Sequence, residues 1–494
     1  MKRATKWGTT LATALALAAG ALAAGARAAD FPATPPAPGP APRLSVPTPT
    51  AQALPNGLEV VSVRRDGLPL VTAELLLRRG GELDPAGKAG LADLTATLLT
   101  RGAGGLGAPQ IAAQAEALGG SLDASASWDR SSVAITVTTP RLPQALALLA
   151  KVARQPDFAE DELQRARAQA LDDLHLALSR PTALASLAAG RAVFGAGAYG
   201  HSRSGTPASL AAITRADVAQ LHAAIYRPDN AVLVLTGDIA PAQARALAQQ
   251  SFGDWARPAA PLAAAPAGHG TGTLPAVLAI DQHGAGQAGV VAAHAAPPRN
   301  DPGYYAGVVA NAVLGGSYSA RLNEEIRIKR GLSYGASSRL DGRRDSGLWL
   351  AQAQTKNPSA AQVVDLMLGE FARLGDTPVP AAELAARKAT LVGEYGRGLE
   401  TTAGLARQLG ELATYGVDLA EIGRYIERVQ AVGPAQIEAY AKAHLGAGSH
   451  VVVVGDATQF GPALRQRHPE APTLPFERLD LDRPDLRAAG RARP

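Results

Sequence analysis

The chain has 494 residues, of which 47% are apolar and 18% charged, with a formal net charge of +5 and no cysteine. That length exceeds one ordinary domain, and the composition is that of a globular protein able to bury large cores without staples. The missing thiols exclude disulfides, thiol catalysis, iron–sulfur clusters and thiolate zinc sites, and no run of about 20 apolar residues after residue 30 offers a membrane-spanning helix.

Met1, Lys2, Arg3 and Lys6 precede an Ala/Leu-rich run from Leu11 to Ala24, and Ala26-Arg27-Ala28 puts small residues where a signal peptidase reads. The pattern predicts a cleavable export signal over residues 1–28 and, without cysteine, a periplasmic protein. Cleavage removes four basic residues and leaves 44 basic against 43 acidic, a net +1. The basic balance therefore gives little support to nucleic-acid or anionic-membrane binding. Residues 29–55 form a Pro-rich lead-in, 56–255 a first domain, 256–276 a Pro/Ala/Gly linker, 277–462 a second domain and 463–494 a tail. Within the tail, Leu474 to Asp482 alternates apolar and charged residues, which suits either an edge strand added to a partner or a frayed end.

The two domains read as copies. Asp84-Pro85 and Asp301-Pro302 lie 217 residues apart, Glu162-Leu163 and Glu383-Leu384 lie 221 apart, and the strand ends Gly237-Asp238 and Gly455-Asp456 lie 218 apart. Near-constant offsets point to a tandem duplication. The strands alternate with period two, as in Ser131-x-Val133-x-Ile135-x-Val137. The expected fold is α+β: two tandem homologous domains, each a mostly antiparallel sheet with helices packed on one face. Gly102-x-Gly104-x-x-Gly107 fits a dinucleotide fingerprint by letters but follows a helix, so it carries no nucleotide site.

Taken together, the two-copy layout, Tyr226-Arg227-Pro228-Asp229-Asn230 and the stretch from Leu314 to Leu322 resemble the M16 zinc metallopeptidase family over roughly residues 50–460. The resemblance implies a helix carrying His-x-x-Glu-His, with two imidazole zinc ligands and a carboxylate base, and a third ligand about 75 residues on. Here the matching positions are Asp93, Ala96 and Thr97, and the distal position falls on Asp172 or its neighbour Asp173. None of the nine His forms an i, i+4 pair. The resemblance therefore implies no catalysis by this chain alone and no metal of its own, with Asp93 and Asp172 as ordinary helix acids. A rebuilt site for a hard cation is the rival reading of those two acids.

The second half matches a different family feature, an Arg and a Tyr seven residues apart that contact substrate. Arg327 and Tyr334 have that spacing. Ser319 is expected to cap the preceding helix, Leu322 and Ile326 to form its apolar stripe, and Gly331 to end it. The resemblance implies a zinc-free subunit that binds unfolded peptide through Arg327 and Tyr334 and completes the chamber of a heterodimer, zinc being held by a His-x-x-Glu-His partner. The alternative is a non-proteolytic peptide-binding or scaffold protein of the same fold. The pair Gly315-Gly316 is too short for a presequence-binding loop of the processing-peptidase type.

Overall fold

Alternating β-branched segments build two six-stranded sheets in the computed structural model, which describes residues 46–446 and 448–488. The predicted export signal and most of the Pro-rich lead-in lie outside the described residues. The first half runs β1 (Thr50–Ala53), β2 (Glu59–Arg64), β3 (Leu70–Leu77), α1 (Leu91–Leu98), the hairpin β4 (Gly102–Ala103) and β5 (Leu106–Gly107), α2 (Ala108–Ala117), β6 (Leu122–Ala126), β7 (Ser131–Thr138), α3 (Leu142–Arg154), α4 (Glu160–Leu178), α5 (Pro181–Phe194), α6 (Pro207–Ala212), α7 (Arg215–Ile225), β8 (Ala231–Gly237) and α8 (Pro241–Phe252).

The second half runs β9 (Val277–Asp281), β10 (Ala288–Ala296), α9 (Tyr304–Leu314), α10 (Arg321–Asn323, continued by a π-helical turn over Glu324–Ile328), β11 (Ser333–Gly342), β12 (Gly347–Thr355), α11 (Ala360–Asp376), α12 (Ala381–Gly398), α13 (Thr402–Thr414), α14 (Glu421–Ala431), α15 (Pro434–His444), β13 (His450–Gly455), α16 (Ala457–Arg467) and β14 (Thr473–Pro475).

The sheet orders are β1-β2-β8-β3-β7-β6 and β14-β9-β13-β10-β12-β11. Over five strands they correspond, with one parallel pair in each (β2 with β8, β9 with β13) followed by antiparallel neighbours, and they differ at the outer strand, where β1 runs antiparallel to β2 but β14 runs parallel to β9. The duplication read from the offsets is thus a duplication of topology. The differing edge strands complete the two sheets: β1 comes from the Pro-rich lead-in, and β14 pairs with β9 of its own chain. The tail segment is therefore neither a strand donated to a partner nor a frayed end. Leu474, Leu481 and Leu486 are buried there, and α16 runs five residues past the expected limit at 462.

Each sheet packs its own helices on one face, as the alternation predicts. In the first half Leu75, Val133, Ile135, Leu233 and Leu235 point into a core filled by α1, α3, α7 and α8. The other face is closed by a helix from the opposite half. Helix α13 lays Leu405, Leu409 and Leu412 against Val61, Val63, Leu76, Val232 and Val234. Helix α5 lays Leu184, Ala185, Ala188, Ala189 and Phe194 against Ile280, Val291, Leu350 and Val452. The approach is close: a Cβ on Gly289 of β10 would lie 2.3 Å from the Thr182 amide nitrogen. At the matching point of the first half, Thr72 of β3 shares a 2.8 Å hydroxyl hydrogen bond with Thr402.

The turn between β11 and β12 ties the halves a second time. The Arg343 guanidinium sits among Trp128, Phe194 and Tyr199, with Cζ 4.7 to 4.8 Å from each ring centroid. The Tyr199 hydroxyl donates to the buried Asp129 at 2.6 Å, and Asp129 accepts from the Arg344 amide at 3.2 Å. The linker is pinned at the same place, where the Gly268 amide donates to Asp345. Beside this cluster lies Glu82, 2% exposed, with Oε2 accepting from the Gly80 amide and Oε1 without a partner among the described residues. Burial, and then the Asp129 charge, push its carboxyl up to about 8.

Two predictions follow from this packing. Leu409→Ala, a change within the second half, should lower stability by about 2–5 kcal/mol by emptying a site against the first half's sheet. Urea denaturation measures this, and a loss near zero contradicts the exchanged packing. Glu82 stays protonated in the folded state where the unfolded carboxyl, at about 4.5, is ionised. Its contribution to stability is present below pH 4.5 and is lost as pH rises to about 8. Glu82→Gln should therefore flatten the fall of the urea midpoint across that window, and an unchanged slope contradicts the assignment.

Candidate functional site

Helix α1 is placed by Asp84, whose fully buried carboxylate accepts from the Gly90 amide at 2.7 Å and the Ala92 amide at 2.8 Å. An anion at a helix N-terminus is favourable. Gly90 takes a left-handed φ of +93°, which strains any other residue, and the Gly205 backbone and Leu210 would crowd a side chain there. This fixes which face of α1 meets the cavity beside it, about 870 Å³ in volume. The cavity is bounded by α1, the outer edge of β6, α4, the start of α5 and the loop 202–204, with Arg339 of β11 entering from the second half.

Asp93 lines this cavity and is ion-paired: Arg203 donates from Nη1 to Asp93 Oδ1 at 2.5 Å and to the Ala126 carbonyl at 2.8 Å. Burial pushes the Asp93 carboxyl up to about 6, with Arg203 opposing and Asp84 adding to the rise. Thr97 also lines the cavity, but its hydroxyl donates back to the Asp93 carbonyl at 2.9 Å. Ala96 is fully buried and does not reach the wall. On α4 it is Asp173, not Asp172, that lines the cavity; Asp172 is exposed and lies off it. One residue step turns a helix by about 100°, so only one of two adjacent acids can face the site.

The donor set does not suit zinc, which wants imidazole or thiolate nitrogen and sulfur around a tetrahedron. One carboxylate is held by a guanidinium, the Thr97 hydroxyl is turned onto its own helix, and Asp173 accepts from Gln169 at 3.0 Å. Among the described residues no three His, Asp or Glu side chains gather as a metal site would require. The arginines that now dominate the cavity, Arg101, Arg165, Arg203 and Arg339, were not visible as a group from the sequence. They come from four separate elements.

Arg327 and Tyr334 lie elsewhere, on either side of Gly331, whose φ of +63° ends the helix as expected. Leu322 and Ile326 are fully buried, also as expected. Ser319 does not cap; its hydroxyl accepts from Arg387 Nη1 at 2.7 Å, and the helix starts after Ala320. Arg327 sits in the π-helical turn, where the Lys329 amide reaches the Glu324 carbonyl at 2.9 Å. It stacks over Tyr318, Cζ 4.7 Å from the ring centroid, and carries no ion pair among the described residues. Its neighbours Lys329 and Arg330 both pair with Glu325 at 2.5 Å.

Tyr334 falls in a β-bulge, the register against β12 shifting between Ser333 and Ala336. Bulges re-aim side chains, and Tyr334 projects outward, 89% exposed. Tyr318, which the Arg327 guanidinium covers, and Ile328 are exposed as well, at 63% and 56%. Neither Arg327 nor Tyr334 lines the cavity at Asp93.

Residues 59–205 match the family described as insulinase (peptidase family M16), and residues 212–391 match the peptidase M16 inactive domain. An uncharacterized zinc protease of Mycobacterium leprae is 26% identical over 405 residues, which is 81% of this chain and 90% of that relative. A non-peptidase homolog of Helicobacter pylori is 27% identical over 172 residues, 35% of this chain and 40% of its own length. Among solved structures, the peptidase M16 inactive domain from Pseudomonas fluorescens gives a TM-score of 0.77 at 26% identity, covering 82% of this chain and 98% of that one. A protease from Helicobacter pylori gives 0.78 at 19% identity, covering 83% and 100%, a likeness of fold.

Arg203 lowers the Asp93 pKa, so its removal should raise it. In Arg203→Ala, carboxyl-carbon NMR should place the Asp93 titration above its present value of about 6. A titration that stays put or moves down contradicts the ion pair.

Proposed function

The chain belongs to the M16 peptidase family, and from that premise we propose that it is an exported, zinc-free subunit of a two-chain peptidase. It would bind substrate peptide through Arg327 and Tyr334 and close the chamber of a partner that carries His-x-x-Glu-His. The observation that carries the reading is the contrast between the two sites. At the degenerate site the charge on Asp93 is answered within the chain by Arg203. At the second site a guanidinium and an 89%-exposed phenol stand without a polar partner among the described residues, beside basic neighbours that are paired. Groups so placed are available to a ligand. A guanidinium can hold a peptide carbonyl or carboxylate, and a phenol can donate to an oxyanion developing on the partner's side.

The fold also offers backbone for an extended peptide. Strands β6 and β11 are the outermost strands of their sheets, and an open strand edge can take up a further strand. No helix among the described residues is long and apolar enough to cross a membrane. The second reading, a peptide-binding or scaffold protein with no part in proteolysis, draws on the relative described as a non-peptidase homolog.

With the partner present, Arg327→Ala and Tyr334→Phe should each lower peptide turnover about tenfold or more, while the two chains still co-elute. Full turnover in both variants contradicts these roles.

A further inference from the structure

The cavity beside α1 holds charge that the family reading leaves unused. Two of its four arginines are committed. Arg203 pairs with Asp93, and Arg165 pairs with Asp161 and Glu162 on its own helix. The other two are not. Arg101, just past the end of α1, and Arg339, on β11, carry no ion pair and no side-chain hydrogen bond among the described residues, yet both line the cavity. Desolvation pulls the Arg339 guanidinium below its ordinary pKa, a cost that an anionic partner would offset. Ser202 also lines the cavity; it is 5% exposed, and its hydroxyl has no hydrogen-bond partner among the described residues. An unpartnered buried hydroxyl is costly unless a ligand or water meets it.

We propose that this cavity binds a carboxylate carried by an unfolded peptide, either an acidic side chain or a free C-terminus, held by Arg101, Arg339 and the Ser202 hydroxyl. The proposal rests on the peptide-binding reading above and names what that peptide must carry. The size fits: about 870 Å³ takes a few side chains rather than an inorganic ion. The walls give direction as well. Ala124, Ser125 and Ala126 of the open β6 edge form one side, so a peptide laid along that edge passes the guanidiniums. Because Arg101 belongs to the first half and Arg339 to the second, an occupied site ties the two halves together. Both groups line the same cavity as Asp93 and Thr97, the positions that the resemblance assigns to a metal. The chain would thus keep an anion-binding function at a place that no longer holds the donors for zinc.

The test uses the full chain and fluorescent, unstructured peptides of about twelve residues, long enough at about 3.3 Å per residue to run past the cavity on both sides. One peptide has a single Glu and a free C-terminus; others have Glu→Gln, a C-terminal amide, or both. Anisotropy should show the doubly neutral peptide binding about tenfold or more weakly than the parent. The single changes identify which carboxylate is read. Arg101→Gln and Arg339→Gln should each reduce binding of the parent peptide and leave the neutral peptide unchanged. Added salt should erase most of the difference.

Equal affinity for charged and neutral peptides overturns the proposal and leaves the peptide-binding reading standing. Discrimination that is lost in Arg327→Ala but kept in Arg101→Gln and Arg339→Gln also overturns it, because the carboxylate would then sit at the other site. Absence of any peptide binding overturns both readings.

Discussion

Each sheet of this protein is finished by a helix that belongs to the other half, and most of the architecture follows from that exchange. A sheet such as β2-β8-β3, with Val61, Val63, Val232 and Val234 on one face and Leu233, Leu235 and Leu75 on the other, cannot leave either face in water. Its own helices supply one cover and α13 the other; α5 does the same for the second sheet. Burying a large aliphatic side chain is worth about 1.5–3 kcal/mol, and each exchanged helix buries several. The two halves are therefore one folding unit in energetic terms, and the pieces between them are held in register: the Arg343 turn among its three rings, the linker at Gly268, and the tail at β14. The cavity beside α1 inherits its shape from this arrangement, since Arg339 reaches it from β11.

Against that fixed frame the two sites have diverged. In the first half the positions that the resemblance assigns to zinc chemistry carry Asp93, Ala96 and Thr97, and the structure completes them internally with Arg203. A carboxylate kept partly buried needs a counter-charge, and an arginine from the loop after α5 supplies it without a metal. In the second half the π-helical turn holds Arg327, half-buried over Tyr318, and the bulge turns Tyr334 outward, both without polar partners among the described residues. Both are local departures from regular geometry, of the kind retained where side chains must be aimed. In one copy the charge at these positions is answered within the chain, and in the other an arginine and a tyrosine are left without polar partners among the described residues.

Much of this was legible in the sequence, and the reasons differ from element to element. Duplication showed because landmark residues recur at near-constant offsets. Gly331 and the buried Leu322 and Ile326 followed from capping and periodicity. The exchange of α5 did not show. Its residues 184–194 are apolar on nearly every side, which marks a buried helix but not what buries it. Spacing along the chain does not separate Asp172 from Asp173, because it does not resolve a turn of about 100° per residue along a helix. Position alone makes Ser319 a cap, whereas the guanidinium of Arg387, far along the chain, claims its hydroxyl. The tail's alternation announced a strand, and only the topology shows that its acceptor is β9 of the same chain. Arg203 and Arg339 gave no signal, since a cavity assembled from four elements has no spacing to read.

The central claim is that this chain acts with a second, zinc-bearing subunit. The most direct measurement is native co-purification of the tagged chain from its own cells, with the bound proteins identified and their stoichiometry determined. The account predicts one near-equimolar partner carrying His-x-x-Glu-His and peptidase activity in the eluted complex. A chain that elutes alone, or bound only to proteins lacking that motif, would contradict it.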